Sequence, residues 1–208
     1  VWTARDDPVS ESCQRTTAAF IGHSSFVRDR YVPGNTTAYL GDEARAADGF
    51  HGTFDVTQAT RRIGELENLD VFPDGAGSYY LAGAAYWAHT NAIRESVEAP
   101  IETLALELDA APKPFSSPLY LAAKYGSFLD RNRDKNPFVT TRGEATDSEW
   151  TFDGRTAAGY FSGADPQQIG PAVREMFAAA RYPRGEGMGK AASTASCLIQ
   201  ASYDRQQA

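Results

Sequence analysis

The sequence predicts a single mixed α+β domain, and three observations carry that prediction. Val56, Ala59, Ile63 and Leu66 recur at three- and four-residue intervals, the period of a helix with one apolar face. Ile101-Glu102-Thr103-Leu104-Ala105-Leu106-Glu107-Leu108 follows Pro100 and has the composition of a strand. The 208 residues, 42% hydrophobic and 23% charged, are enough to bury one core without metals. No internal repeat and no linker divides the chain.

The elements follow in order. Residues 1–4 read as a short strand, and Asp6-Asp7-Pro8 as a turn. Residues 13–31 keep no clean period, so an irregular or helical segment is expected there, with Phe20, Phe26 and Tyr31 packing beneath it. Residues 50–54, Phe-His-Gly-Thr-Phe, read as a strand in which Gly52 permits a close backbone approach. Residues 55–66 are a helix, with Asp55 or Thr57 as N-cap and Gly64 weakening the last turn. Pro73-Asp74-Gly75 is a turn, and Tyr79-Tyr80-Leu81 a short strand with the two tyrosines on opposite faces. Residues 82–94, rich in alanine, are helical. Three prolines make 111–118 a loop before a helix over 119–129. A charged turn over 131–136 precedes strand-like Phe138-Val139-Thr140-Thr141 and Trp150-Thr151-Phe152, the latter followed by an Asp153-Gly154 hairpin signal. Asp165-Pro166 starts a helix or a turn, and 171–181 is helical. The glycines at 185, 187 and 189 form a loop, and 191–203 is strand or helix.

Charge narrows the function classes. A net charge of −7 lacks the basic footprint of a nucleic-acid surface and gives no support for binding acidic membranes. No apolar run approaches the ~20 residues needed to span a bilayer. The first residue is Val1, not Met, and the expectation is a processed, secreted protein. Cys13 and Cys197 lie near opposite ends and could remain buried thiols. In a secreted chain the favoured reading is a Cys13–Cys197 disulfide, restricting the unfolded chain by about 5 kcal/mol in the entropic account. Asn35-Thr36-Thr37 matches a glycosylation pattern, as a chance occurrence also would. Three scattered histidines and no clustered cysteines give no metal site. Ser24-Ser25 and Ser116-Ser117 sit in no nucleophile elbow, and the spacing of Gly185-Glu186-Gly187-Met188-Gly189-Lys190 fits no phosphate loop.

The chemistry concentrates between Phe50 and Asp109. His51-Gly52-Thr53, the helix after it, Gly77-Ser78-Tyr79 and then Ala84-Ala85-Tyr86-Trp87-Ala88 occur in an order that resembles the ADP-ribosyltransferase fold. The resemblance is to its His-Tyr-Glu branch, that of diphtheria-type toxins and poly(ADP-ribose) polymerases, and covers about 60 residues. It implies split mixed or antiparallel sheets with flanking helices, and NAD as substrate. By resemblance His51 bonds a ribose of NAD, the Gly52 main chain holds the nicotinamide amide, Tyr79 and Tyr86 face the ring, and Thr53 completes the cofactor-binding motif. Tyr79 and Tyr86 stand closer in sequence than the usual stacking pair, which brings in Tyr80 and Trp87 as alternatives. The physics is consistent: a flat cationic ring suits tyrosine faces, and glycine admits a ligand to the main chain.

The resemblance also implies a catalytic glutamate that stabilises an oxocarbenium-like transition state. Glu149, directly before Trp150-Thr151-Phe152, is the expected residue, and Glu144 the second. Either carboxylate is equally well an ordinary loop residue. The implied activity is ADP-ribosyl transfer to an acceptor, or NAD glycohydrolysis. Two alternatives stay open: a secreted effector or binding protein that keeps the fold without the chemistry, and an unrelated hydrolase built on Glu102, Glu107 and Asp109.

Overall fold

The computed structural model describes residues 15–23, 32, 34, 54–72, 77–91, 100–108 and 115–181. In chain order these give strand β1 (Thr16–Gly22), helices α1 (Val56–Glu67) and α2 (Tyr80–Thr90), and strand β2 (Ile101–Glu107). Helix α3 (Pro118–Ser127), strand β3 (Tyr160–Ser162), a 3-10 turn (Pro166–Gln168) and helix α4 (Ile169–Arg181) follow. The mixed helix-and-strand class expected from the sequence is what is observed. The sheet has the order β1-β2-β3 and every pair in it is parallel. Thr16 lies opposite Ile101 and Gly22 opposite Glu107, while Ala105 lies opposite Tyr160 and Glu107 opposite Ser162.

All strand pairs of this sheet are parallel, and the split sheets that the resemblance implies are not seen among the described residues. The cause of parallel pairing is the helix-bearing connection: a chain that must return to the same end of a sheet needs a crossover, here carrying α1 and α2, then α3. Two isolated bridges, Val139–Ala145 and Thr151–Ala157, are antiparallel. The expected strands at 138–141 and 150–152 are these bridges. Asp153 closes the second one, its Oδ1 accepting the Arg155 and Thr156 main-chain N–H groups at 2.8 and 2.7 Å.

β2 is buried on both faces because helices cover both. Leu104 and Leu106 pack with Ala172 and Met176 of α4, while Ala105 packs with Leu119 and Ala123 of α3. The main core lies on the α3 side, where Ile63, Tyr86, Tyr120, Tyr125, Phe128 and Trp150 cluster. The edge strand β1 is half in solvent, with Ile21 52% exposed. That exposure removes the periodic signal and explains why Thr16–Gly22 does not read as a strand.

The helices start where the sequence signals. Asp55 Oδ1 accepts Gln58 N–H at 2.8 Å, and Ser117 Oγ accepts Tyr120 N–H at 3.0 Å ahead of Pro118. Val56, Ala59 and Ile63 are the buried face of α1, as expected. Gly64 does more than weaken a turn: a Cβ there would lie 2.9 Å from Leu69 O, so the chain folds back over it. α2 begins at Tyr80, two residues earlier than expected, and Tyr79 is its N-cap residue rather than part of a strand. Tyr80 opens the helix behind Tyr79, and both tyrosines are buried instead of alternating. No helix among the described residues is long and apolar enough to cross a membrane.

Candidate functional site

His51, Gly52 and Thr53 lie outside the described residues, as do Asp109, Cys13, Cys197 and Asn35. Tyr79, Tyr80 and Tyr86 are described, and all three rings belong to the core. Tyr79 OH donates to Ser116 O at 2.9 Å, and Tyr86 OH donates to Lys135 O at 2.8 Å. Tyr80 OH shares a 3.0 Å hydrogen bond with Thr57 Oγ1, its ring edge-on to Phe72. Burial holds the Tyr79 and Tyr86 hydroxyls above their ordinary range, with Arg62 pulling Tyr86 the other way.

Tyr86 also borders a groove of about 580 Å³ between α1 and α2. Arg61, Arg62 and Lys135 bring positive charge to its lining, Asp55 and Glu65 negative charge, and Trp87 an aromatic wall. Its volume suits a nucleotide-sized ligand. Tyr79, Glu144 and Glu149 are not among its lining residues, so the structure does not bring the expected tyrosines and glutamates into one cavity.

The two glutamates have different surroundings. Glu144 is exposed at a turn where its N–H donates to Thr140 Oγ1 at 3.2 Å. Glu149 is only 4% exposed, and its Oε2 has no hydrogen-bond partner. Its main-chain carbonyl accepts Leu129 N–H at 2.7 Å, which fixes it behind the charged loop 130–136. Burial raises the Glu149 pKa, the Arg131 main-chain N–H opposes that, and the charges of Asp130 and Asp134 raise it further. Asp130 Oδ1 is likewise buried without a partner. Among the described residues no three histidine, cysteine, aspartate or glutamate side chains group closely enough to hold a metal by themselves.

Of the carboxylates suggested for an unrelated hydrolase, the two described, Glu102 and Glu107, do not converge. Glu102 pairs with Arg15 at the start of β2, whereas Glu107 is buried at its far end, about 17 Å along the strand. Glu107 Oε2 accepts Ser117 Oγ–H at 3.0 Å and Tyr160 OH at 2.6 Å.

Two polar groups at the core were missed in the sequence. Lys124 Nζ lies 2.8 Å from Glu67 Oε1 and 3.9 Å above the Trp150 ring. Tyr125 OH donates to the same Glu67 oxygen at 2.7 Å. His89 is structural: Nε2 lies 2.7 Å from Phe128 O and Nδ1 3.3 Å from Ile101 O. The shorter contact places the proton on Nε2, and burial lowers the ring's pKa against the pull of the two carbonyls.

No family model matches the chain, and no solved structure matches it significantly. Among curated proteins it is similar to a type IV pilus biogenesis factor PilY1 homolog of Xylella fastidiosa, strain Temecula1, with 25% identity over 228 aligned positions. The alignment covers 94% of this chain, which spans 18% of the length of that relative.

Proposed function

We propose that this chain is a non-catalytic module of a type IV pilus biogenesis factor, working outside the cytoplasm. The observation that carries the reading is a similarity running along 94% of the chain rather than through one short motif. The side-chain chemistry supports a structural role. The hydroxyls of Tyr79, Tyr86, Tyr120 and Tyr125 are committed to oxygens of the fold, and His89 is held between two carbonyls. Deleting the coding segment in the native host tests this, with sheared surface pili quantified against total pilin. Loss of surface pili at unchanged pilin is expected; normal piliation overturns the reading.

A second reading keeps the NAD-cleaving activity implied by the resemblance. Tyr86 and Trp87 beside Arg61, Arg62 and Lys135 support it, since that groove offers aromatic faces and phosphate-binding charge together. Tyr79 lends it nothing, being 5% exposed with its hydroxyl on a carbonyl. Nicotinamide release from NAD, compared among wild type, Glu149→Gln and Glu144→Gln, is the measurement. Release that falls in one variant supports the reading; no release above buffer and no calorimetric NAD binding removes it.

A further inference from the structure

We propose that the groove between α1 and α2 is a binding site for a saccharide that carries a carboxylate. Its lining combines three kinds of group: the aromatic wall of Trp87, the neutral carboxamide of Gln58, and charges of both signs. Arg61, Arg62 and Lys135 outnumber Asp55 and Glu65 there, on a chain whose net charge is −7. A positive balance on an acidic protein favours an anionic occupant, and the acidic side chains beside it limit how much negative charge that occupant can carry.

The groups stand open on a fixed frame. Gln58, Arg61, Arg62 and Glu65 are exposed and recur along α1 at helical spacing, so they form one strip beside the groove. The Gln58 carboxamide and the Arg61 guanidinium have no partner among the described residues, whereas Arg62 Nη1 donates to Glu65 Oε2 at 3.0 Å. Across the groove, Lys135 is held at both ends. Its carbonyl accepts Tyr86 OH at 2.8 Å, and its Nζ donates to Asn91 Oδ1 at 2.7 Å, a neutral acceptor that leaves the charge uncancelled. The half-buried Trp87 is also fixed: its ring packs on Phe54 with centroids 4.7 Å apart, and its carbonyl accepts Asn91 Nδ2–H at 3.0 Å.

These groups select the ligand. A pyranose presents an apolar C–H face, which suits an indole wall, and a rim of hydroxyls that both donate and accept. The Gln58 carboxamide does both in return, the Glu65 carboxylate accepts, and Arg61 with Lys135 meets a carboxylate on the sugar. A diphosphate fits less well. Asp55 and Glu65 repel it, and the N-terminus of α1, where a phosphate would otherwise sit, is filled by the Asp55 carboxylate, whose Oδ1 accepts Gln58 N–H at 2.8 Å. The groove therefore favours a singly charged sugar over NAD, and this assignment does not depend on the pilus reading.

Sialyllactose and glucuronic acid, each with one carboxylate, are titrated into the chain by calorimetry beside lactose and glucose as neutral counterparts and ADP-ribose as the phosphate-bearing rival. Saturation transfer to the sugar protons in NMR reports which ring face lies on the protein. Saturable binding of an acidic sugar is expected, with Kd of roughly 10 μM–1 mM, about tenfold tighter than its neutral counterpart and weaker as salt is raised. Arg61→Ala, at an exposed position, should weaken acidic-sugar binding about tenfold at unchanged Tm and leave the response to lactose as in wild type. Trp87→Ala should remove saturation transfer to the C–H face. If that variant fails to fold, Arg61→Ala carries the comparison. No binding at millimolar sugar overturns the proposal, as do equal affinities for acidic and neutral sugars or wild-type affinity in both variants. Tighter binding of ADP-ribose than of either acidic sugar also overturns it, in favour of the NAD reading.

Discussion

Lys124 keeps 6% of its side chain in solvent in a helix whose every residue is buried, with Glu67 and the face of Trp150 in place of water around its ammonium. Lys124→Ala removes the ammonium and also the stem packed between Trp150 and Phe138. Glu67 retains 19% of its side-chain exposure, so its stranded charge is partly hydrated and the loss falls below that of a fully buried pair. Unfolding in urea should show a destabilisation of about 2–3 kcal/mol for Lys124→Ala and a smaller one for Lys124→Met, which keeps the stem. A loss under about 0.5 kcal/mol for the alanine variant would show that the pair is effectively solvent-screened. In the sequence, one lysine within Leu121-Ala122-Ala123-Lys124-Tyr125 reads as a solvent-facing position. Its acidic partner is remote in sequence, so no local spacing reveals the pair. Glu149 was singled out for a different reason, its place before an aromatic run, and the loop it backs read as a charged turn. The unpartnered Glu149 oxygen behind that turn became visible only in the fold.

Helices were the readable elements, because amphipathic period, caps and prolines are all local. Asp55, Ser117 and Pro118 act where their chemistry places them. The strands were less readable. β1 is half exposed and lacks alternation, and β3 is three residues long, below the length at which a period can be seen. Tyr79-Tyr80 has strand-like residues, yet Tyr80 opens α2 because Ser78 Oγ accepts its N–H at 3.1 Å and tertiary burial outweighs aromatic strand preference. Packing between elements is set by small residues. A Cβ on Gly83 would fall 2.0 Å from Thr60 Oγ1 and 2.9 Å from Thr60 N, so α1 and α2 meet there with main chain against side chain. Rotating the threonine cannot relieve the backbone clash. Gly83→Ala should therefore lower stability by about 1–3 kcal/mol despite alanine's better helix propensity, measured as a shift in the urea midpoint. A stabilised Gly83→Ala variant would mean that the helices separate freely.

At the scale of the molecule, His89 ties together the end of α2, the start of β2 and the residue following α3, so its protonation is a global event. The unfolded chain takes up this proton near the ordinary value of 6.5, and burial lowers the value in the fold. Between those two values the unfolded state binds more protons, so stability rises with pH there and falls on acidification below about 6.5. Tm should drop between roughly pH 7 and pH 5.5, and His89→Gln should flatten that step even where it lowers Tm overall. An unchanged slope in the variant assigns the step to other groups. The parallel sheet has a further consequence, for synthesis. Arg15 beside β1 meets Glu102 in β2, 87 positions later, and the sheet gives β1 no nearer strand partner among the described residues. At ribosomal speed the first strand waits on the order of ten seconds for its partner to be made. During that interval the main-chain N–H and C=O groups that β1 later pairs with β2 have no strand partner, so β1 is the segment a holding chaperone would be expected to grip.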